Sequence, residues 1–219
     1  MTKTKTGPTE RKQVAKDATV RKGSSTRDAI VKLALRMIAE KGVAGTSVLE
    51  ITQTLGISNG TFYYHFVNME QLLEDVGLRV VASLIEESKQ ARRPDPAAQV
   101  ARLSLIADRF VQRNPELEPV MLRVVEDPEG RHADLADNLR EEIIRGRKLA
   151  RFAAEDIDLA VQFCKAISCS VWRSRDLTQV SGRRSVLTAV HGLAMLGVPL
   201  WEAHDIVARE LQQLESEGS

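Results

Sequence analysis

The sequence is poor in the features of secreted and membrane proteins. It has two cysteines, Cys164 and Cys169, which lie five apart on one predicted helix and point in diverging directions unsuited to a disulfide. No stretch reaches the roughly 18 uninterrupted apolar residues of a membrane span, and the N-terminus has no apolar signal-peptide core. We therefore expect a cytoplasmic protein with two reduced thiols and no membrane partner.

Motifs for catalysis and metal binding are also missing. The sequence contains no Walker loop, dinucleotide fingerprint, CxxC pair, HExxH or nucleophile elbow. Its four histidines are scattered, and acidic residues near His132, such as Asp127 and Asp134, are more simply solvated or capping groups than metal ligands. The sequence therefore predicts no enzyme, no cofactor and no metal site.

Strand patterns are absent, and aromatic residues make up only 4% of the chain. The prolines and glycines fall mainly at segment boundaries, and the apolar residues between them recur at helical spacing. The 219 residues suffice for a small module and a larger domain with its own core. We predict an all-α protein with an N-terminal three-helix domain over residues 26–80 and a larger helical domain over residues 81–219.

Positive charge is concentrated at the N-terminus. Through Arg27 the chain has eight basic and two acidic residues, whereas residues 28–95 have seven and nine, and residues 96–219 have sixteen and nineteen. We predict that residues 1–25 form a disordered basic arm that adds affinity for nucleic acid through counterion release or reaches into a minor groove. A solubilising tail, or a remnant of expression, is the simpler alternative.

The rest of the chain is organised around residues 47–66. Ser47 with Glu50 three residues later is a capping-box pattern for a first short helix, and Gly56 ends that helix in the left-handed conformation. Ser58 is then a good N-cap for a second short helix. Two short helices joined by such a turn predict a helix-turn-helix, whose second helix lies in the major groove of DNA.

The second helix has two chemically different faces. Phe62 and Phe66 lie four residues apart and form a core face, whereas Tyr63 and Tyr64 carry polar tips that can bond to phosphate oxygens. Gly60 allows the backbone to come close to a ligand. Adjacent aromatic residues can also be ordinary core, but a module this small cannot bury both faces of the helix. The tyrosines are therefore predicted to contact DNA.

With the flanking segments TRDAIVKLALRMIAEKGVAGT and VNMEQLLEDV, this stretch resembles the DNA-binding domain of the tetracycline-repressor (TetR) family. The residues at the spacing of that family are Gly42, Ile51, Gly56, Ser58, Gly60, Tyr63, His65 and Phe66. The resemblance implies that Tyr63 and His65 contact phosphates. It also places Ser58, Asn59, Thr61 and Tyr64 near base edges, with Gly60 beside them and Thr46 or Ser47 on the opposite phosphate wall.

Two residues depart from the pattern of that family. Met69 stands where the family usually has a lysine at the start of its fourth helix, so one expected phosphate contact is missing. Thr52 replaces the usual alanine, and its hydroxyl is expected to be solvated or bonded to the backbone. The basic arm is predicted to offset part of the affinity lost at Met69.

The larger domain has two late helical patterns that are candidates for an oligomer surface. The first comprises Ile157, Val161, Cys164, Ser168 and Val171 or Trp172, and the second comprises Val186, Leu187, Val190, Leu193 and Ala194. The resemblance implies a homodimer in which two such helices from each subunit form a four-helix bundle. The alternative is that both patterns belong to an intrachain core.

The resemblance also implies a ligand pocket in the larger domain. Aromatic residues beyond position 66 are few, so we expect a mostly aliphatic pocket for a small apolar effector. The candidate ligand-binding residues are Arg102, Phe110, Cys164 and Trp172, with Arg109 and Arg113 as further partners for an anion. Core packing of the aromatics and solvation of the arginines are the simpler alternatives for each of these residues.

The sequence leads to a first hypothesis of a ligand-responsive transcriptional repressor. It would bind a palindromic DNA operator as a homodimer and release it when a small molecule enters the larger domain. A second hypothesis is a DNA-binding protein without an effector, either architectural or controlled by a protein partner, whose larger domain would be packed solid. A third, an enzyme with an attached DNA-binding module, requires a converging set of polar groups that the sequence does not contain.

Overall fold

A computed structural model describes residues 8–90, 92–127, 132, 136–173 and 181–217, with side chains described within these ranges from residue 25 onward except at 181 and 182. All regular structure in these ranges is helical, which confirms the all-α prediction. The α-helices are α1 (Pro8–Lys41), α2 (Val48–Leu55), α3 (Asn59–His65), α4 (Met69–Gln90), α5 (Pro96–Arg113), α6 (Glu118–Glu126), α7 (Asp137–Lys148), α8 (Ile157–Trp172), α9 (Ser181–Met195) and α10 (Leu200–Glu217). A 3-10 turn, Pro115–Leu117, precedes α6.

Helix α1 begins at Pro8, whereas the N-terminal helical domain is predicted from the sequence to begin at residue 26. The prediction of a disordered arm over residues 1–25 therefore differs from the structure for residues 8–25, and residues 1–7 lie outside the described residues. Proline is favourable at the first position of a helix, and no proline follows it within α1. Extending a helix that has already formed is much easier than starting one.

The chain divides into two compact units, Met1–Val76 and Gly77–Ser219. The boundary lies within α4, four residues before the end of the N-terminal domain predicted at residue 80. The core of the N-terminal unit consists of fully buried apolar side chains from α1 to α4, namely Ile30, Ala34, Ile38, Ile51, Phe62, Phe66, Leu72 and Val76. Burial of this apolar surface holds the short helices α2 and α3 together.

Helix α5 is central in the C-terminal unit, where it packs against α7, α8, α9 and α10. Helices α8 and α9 also pack against each other. The buried apolar residues of this pair include Val161, Trp172, Val190 and Leu193, all of them taken from the two predicted oligomer patterns. Much of both patterns therefore belongs to an intrachain core, because a helix with two apolar faces does not reveal from sequence which face its own chain covers.

A second set of apolar residues on α8 and α9 faces outward. Leu159 and Phe163 of α8 are 49% and 44% exposed, and Leu187 and Met195 of α9 are 36% and 46% exposed. Residues four or eight apart share a helix face, so each helix presents an outward apolar stripe. No helix in the described part of the chain is both long and apolar enough to span a bilayer.

Candidate nucleic-acid interface and ligand cavities

Local hydrogen bonds set the limits of the helix-turn-helix. Ser47 Oγ accepts from Glu50 N at 3.3 Å, and Ser58 Oγ accepts from Thr61 N at 3.0 Å, which confirms both predicted N-caps. Gly56 has a φ of 64° and closes α2 in the left-handed region. The predicted capping box is only half formed, because the Glu50 carboxylate pairs with the Lys41 ammonium at the end of α1.

Helix α3 divides into a buried face and an exposed face. Phe62 and Phe66 are fully buried, whereas Tyr63 is 56% and Tyr64 81% exposed. The residues at the start of the helix, Ser58, Asn59 and Gly60, are also exposed, and Thr61 and His65 are half-buried. The exposed side of α3 therefore presents two tyrosine hydroxyls near its C-terminal end and the polar residues Ser58 to Gly60 at its start, and such groups can bond to phosphate oxygens.

The two residues predicted for the opposite phosphate wall differ in exposure. Thr46 is buried, and its hydroxyl donates to the Gly42 carbonyl at 3.0 Å. Ser47 is exposed, although its oxygen already accepts the capping bond from Glu50 N. Of the pair, Ser47 is thus the exposed residue, whereas Thr46 is buried and its hydroxyl is bonded to the backbone.

Thr52 has a structural task that its sequence position did not reveal. Its buried hydroxyl donates to the Leu49 carbonyl at 2.9 Å and to Asn59 Oδ1 at 3.0 Å. The expected backbone bond is present, and the second contact links α2 to the first residue of α3. Asn59 is therefore held in a defined orientation at the start of the exposed helix face.

Arg27 is the most important residue that the sequence analysis missed. Its Nη1 donates to the His65 carbonyl at 2.7 Å, and its Nε donates to Asp75 Oδ2 at 3.0 Å. The guanidinium also lies 4.5 Å from the centre of the Phe66 ring. One side chain thus ties α1 and α4 to the last turn of α3, where it satisfies a carbonyl without an intrahelical partner.

We predict that Arg27→Ala lowers the free energy of unfolding of the N-terminal unit by about 1–3 kcal/mol, the usual range for hydrogen bonds to a charged group. Urea denaturation measures this change. The control is Lys32→Ala, because Lys32 of α1 pairs with Asp28 four residues away and is mostly exposed. Such a pair contributes about 0.5 kcal/mol or less, so equal effects of the two substitutions contradict the role assigned to Arg27.

An apolar cavity of about 150 Å³ lies inside the C-terminal unit, among residues of α4 to α9. Its wall is mainly aliphatic, with Val81, Leu103, Met121, Val124 and Ile167 among the lining residues. The polar lining residues are Ser104, His132, Cys164, Lys165, Ser168 and Thr188. Burial raises the pKa of the Cys164 thiol to about 11, so this group lines the cavity as a neutral thiol.

The four residues predicted to form one ligand site lie in two cavities. Cys164 and Trp172 line the apolar cavity, whereas Arg102 and Phe110 line a second cavity of about 440 Å³ bordered by α4, α5 and α10. At 100° per residue, Arg102 projects from α5 about 140° away from Ala107, which lines the apolar cavity, so the two cavities border different faces of this helix. Sequence spacing alone did not show that both faces of α5 border a cavity.

Trp172 is held in the cavity wall by a buried carboxyl group. Its Nε1 donates to Asp108 Oδ1 at 2.7 Å, and both side chains are buried. Burial raises the pKa of Asp108 from its ordinary value of 3.8 to about 7, although hydrogen bonds from Trp172 and Ser185 oppose the shift. The neutral carboxyl is therefore the form that the fold favours.

This shift predicts a pH-dependent stability. Below pH 4 Asp108 is protonated in both the folded and unfolded chain, and its ionisation in the unfolded chain then lowers stability progressively up to about pH 7. The full loss is on the order of 4 kcal/mol, at about 1.4 kcal/mol per pKa unit. In Asp108→Asn, the free energy of unfolding should therefore fall less between pH 4 and 8 than it does in the unsubstituted protein. Chemical denaturation at a series of pH values measures this difference. Exposed Asp205 supplies the control, Asp205→Asn, and an unchanged pH dependence in Asp108→Asn contradicts the prediction.

Comparisons with known proteins agree with the helix-turn-helix geometry. Residues 30–76 match the model of the bacterial regulatory proteins, tetR family. The HTH-type transcriptional repressor KstR2 of Mycolicibacterium smegmatis is 40% identical over 53 residues, which are 24% of this chain and 26% of KstR2. The HTH-type transcriptional regulator AcrR of Shigella flexneri is 30% identical over 90 residues, or 40% of this chain and 42% of AcrR. The matches thus span less than half the length of either relative.

The similarity of fold extends over both units. A crystal structure of RolR in complex with its ligand resorcinol has a TM-score of 0.69 and 26% sequence identity, and covers 87% of this chain and 96% of RolR. The helical C-terminal unit thus has a counterpart in a solved protein that binds a small molecule. Residues 30–76 of this chain thus match the DNA-binding region of the bacterial regulatory proteins of the tetR family.

Proposed function

We propose that this chain is a transcriptional repressor that binds a palindromic operator as a homodimer and releases it when a small, mostly apolar effector enters the C-terminal unit. The observation that carries the DNA-binding part is the exposed face of α3, which presents Tyr63 and Tyr64 on a helix capped by Ser58. Tyrosine hydroxyls and helix amides bond to phosphates and position a helix in the major groove.

Dimerisation is supported by the outward apolar stripes of α8 and α9. Leu159, Phe163, Leu187 and Met195 are all exposed in the single chain, and contiguous exposed apolar surface usually marks a contact with another protein. A twofold pair of these helices makes a four-helix interface and gives the protein the symmetry of a palindrome.

The substitution Phe163→Glu places a charge in this interface and should therefore convert the dimer to a monomer. Leu49→Glu, at an exposed position of α2, should leave the dimer intact. Light scattering measures the molecular mass of both variants.

The effector class is inferred from the apolar cavity. Engineered apolar cavities of about 150 Å³ bind benzene, and the present cavity has the same volume with hydroxyl groups at Ser104 and Thr188. RolR, the ligand-bound relative by fold, was solved with resorcinol, which is a single ring with two hydroxyls. A single-ring or similarly small alicyclic compound with a polar group fits these dimensions. To release DNA, the effector must bind more tightly to the arrangement that does not match the operator.

The decisive experiment is selection of genomic fragments by the purified chain, followed by footprinting at physiological salt. A discrete palindrome supports the repressor. Diffuse, strongly salt-dependent binding without a preferred sequence overturns it in favour of an architectural protein.

Effector binding can be followed through Trp172, which lines the cavity, after the exposed Trp201 has been replaced with phenylalanine. Single-ring hydroxylated compounds should change the remaining tryptophan fluorescence and release the selected fragment over the same concentration range. A compound that changes the fluorescence without releasing DNA contradicts the effector role of this cavity.

A further inference from the structure

The second cavity of the C-terminal unit has the composition of an anion site. Three arginines of α5, Arg102, Arg109 and Arg113, line it. They lie four to eleven residues apart, at spacings that place them on one side of the helix. The other lining residues are Leu84, Glu87, Gln90, Ile106, Phe110, Asn114, Leu214 and Glu217. The three guanidinium groups exceed the two carboxylates in this wall, so the lining carries a net positive charge.

Arg102 has unused hydrogen-bonding capacity although it is buried. Only 2% of the residue is exposed, and its Nε and Nη1 form no hydrogen bond. Nη1 lies 3.6 Å from Glu210 Oε2, which is an ion pair without a hydrogen bond. Buried N–H donors that make no hydrogen bond destabilise the fold, because they have lost their hydrogen bonds to water without gaining new ones. An anion with several oxygens supplies acceptors for them.

A carboxylate from the surface already contacts this arginine. Glu217, the last residue of α10, accepts from Arg102 Nη2 and lies 3.6 Å from Arg93 Nη2. The hydrogen bond from Arg102 lowers the pKa of Glu217, which is therefore ionised at neutral pH. Its side chain is 47% exposed and stands at a helix end, where residues detach from the fold most easily. An external anion can therefore exchange with it.

The other two arginines differ in how firmly they are held. Arg109 Nη1 donates to the Leu214 carbonyl of α10 at 3.1 Å, whereas Arg113 is exposed at the end of α5. Arg113 can thus turn toward a bound anion, whereas Arg102 is buried in the cavity wall and Arg109 is held there by its bond to α10. Arginine binds carboxylate and phosphate groups through paired N–H donors.

We propose that this cavity is a second ligand site, which binds a small anion through a carboxylate or phosphate group that displaces Glu217 from Arg102. The site is distinct from the apolar effector cavity, and it does not depend on the repressor proposal. If the ion pairs of Arg102 with Glu210 and Glu217 served stability alone, the cavity would show no saturable anion binding.

The test uses the full chain and calorimetric titration with inorganic phosphate or citrate, at an ionic strength kept constant with chloride. We expect saturable binding with one anion per chain. Glu217→Gln removes the internal competitor and should tighten binding about tenfold, and Arg113→Gln should weaken it about tenfold, since charge-assisted hydrogen bonds are each strong enough for such a change. Comparison of the affinities for phosphate and citrate shows whether the site prefers a phosphate or a carboxylate group.

Arg147→Gln is the matched control, because Arg147 is also an exposed arginine at the end of a helix in the same unit. Its replacement should leave anion affinity unchanged. Absence of saturable binding in Glu217→Gln overturns the proposal, as does an equal loss in Arg113→Gln and Arg147→Gln, which indicates unspecific attraction. Both substituted arginines are exposed, so neither variant removes a buried part of the fold.

Discussion

Replacing Tyr64 with alanine is expected to lower operator affinity about 5- to 150-fold, since a good contact to a base contributes about 1–3 kcal/mol. Tyr63→Ala should have an effect of similar size through phosphate contacts. Both rings are exposed in the free protein, and the packing of α3 depends on Phe62 and Phe66, so unfolding should be unaffected. Fluorescence anisotropy of a labelled operator at fixed salt measures the affinity, and circular dichroism measures stability.

The tyrosine-to-phenylalanine variants separate the hydroxyl from the ring. If Tyr63 bonds to a phosphate, Tyr63→Phe should lose most of what Tyr63→Ala loses, and it should do so equally on specific and unspecific DNA. Tyr64→Phe should keep any ring contact with a base. Unchanged affinity in both alanine variants, with folding intact, would exclude the exposed face of α3 as the DNA-binding surface.

Gly77→Ala is expected to destabilise the C-terminal unit by about 2–3 kcal/mol, within the usual cost of overpacking. A Cβ at this position would lie 2.3 Å from the Val120 carbonyl oxygen and 2.6 Å from Val124 Cγ2. The backbone of α6 thus approaches α4 too closely for any side chain. This cost outweighs the roughly 1 kcal/mol that alanine adds to a helix interior. Chemical denaturation followed by circular dichroism measures the difference.

Gly192 provides the control for this second substitution. It is also a helical glycine of the C-terminal unit, but a Cβ built there meets no atom within 4 Å. Gly192→Ala should therefore leave stability unchanged or raise it by up to about 1 kcal/mol. Equal stability of the two variants would contradict the close approach of α6 to α4 at Gly77.

The helix-turn-helix illustrates what local sequence decides. Ser47, Gly56 and Ser58 set the ends of α2 and α3 through hydrogen bonds or dihedral angles that involve at most four consecutive residues. The four-residue spacing of Phe62 and Phe66 likewise determined which face of α3 is buried. Such interactions can be read from the chain because the partners are neighbours and helix geometry places them. The start of α1 was not predicted, because residues 8–25 are polar and poor in the apolar side chains whose spacing marks a helix.

Tertiary structure decided the features whose partners lie far apart in the chain. Arg27 bonds to residues 38 and 48 positions away, and no local pattern connects it to His65 or Asp75. The division of Arg102 and Trp172 between two cavities depends on which helices cover each face of α5. The sequence by itself thus determined the ends of α2 and α3 and the exposed face of α3. Packing alone determined the cavities and the outward stripes of α8 and α9, because burial depends on the arrangement of whole helices and not on the spacing within one.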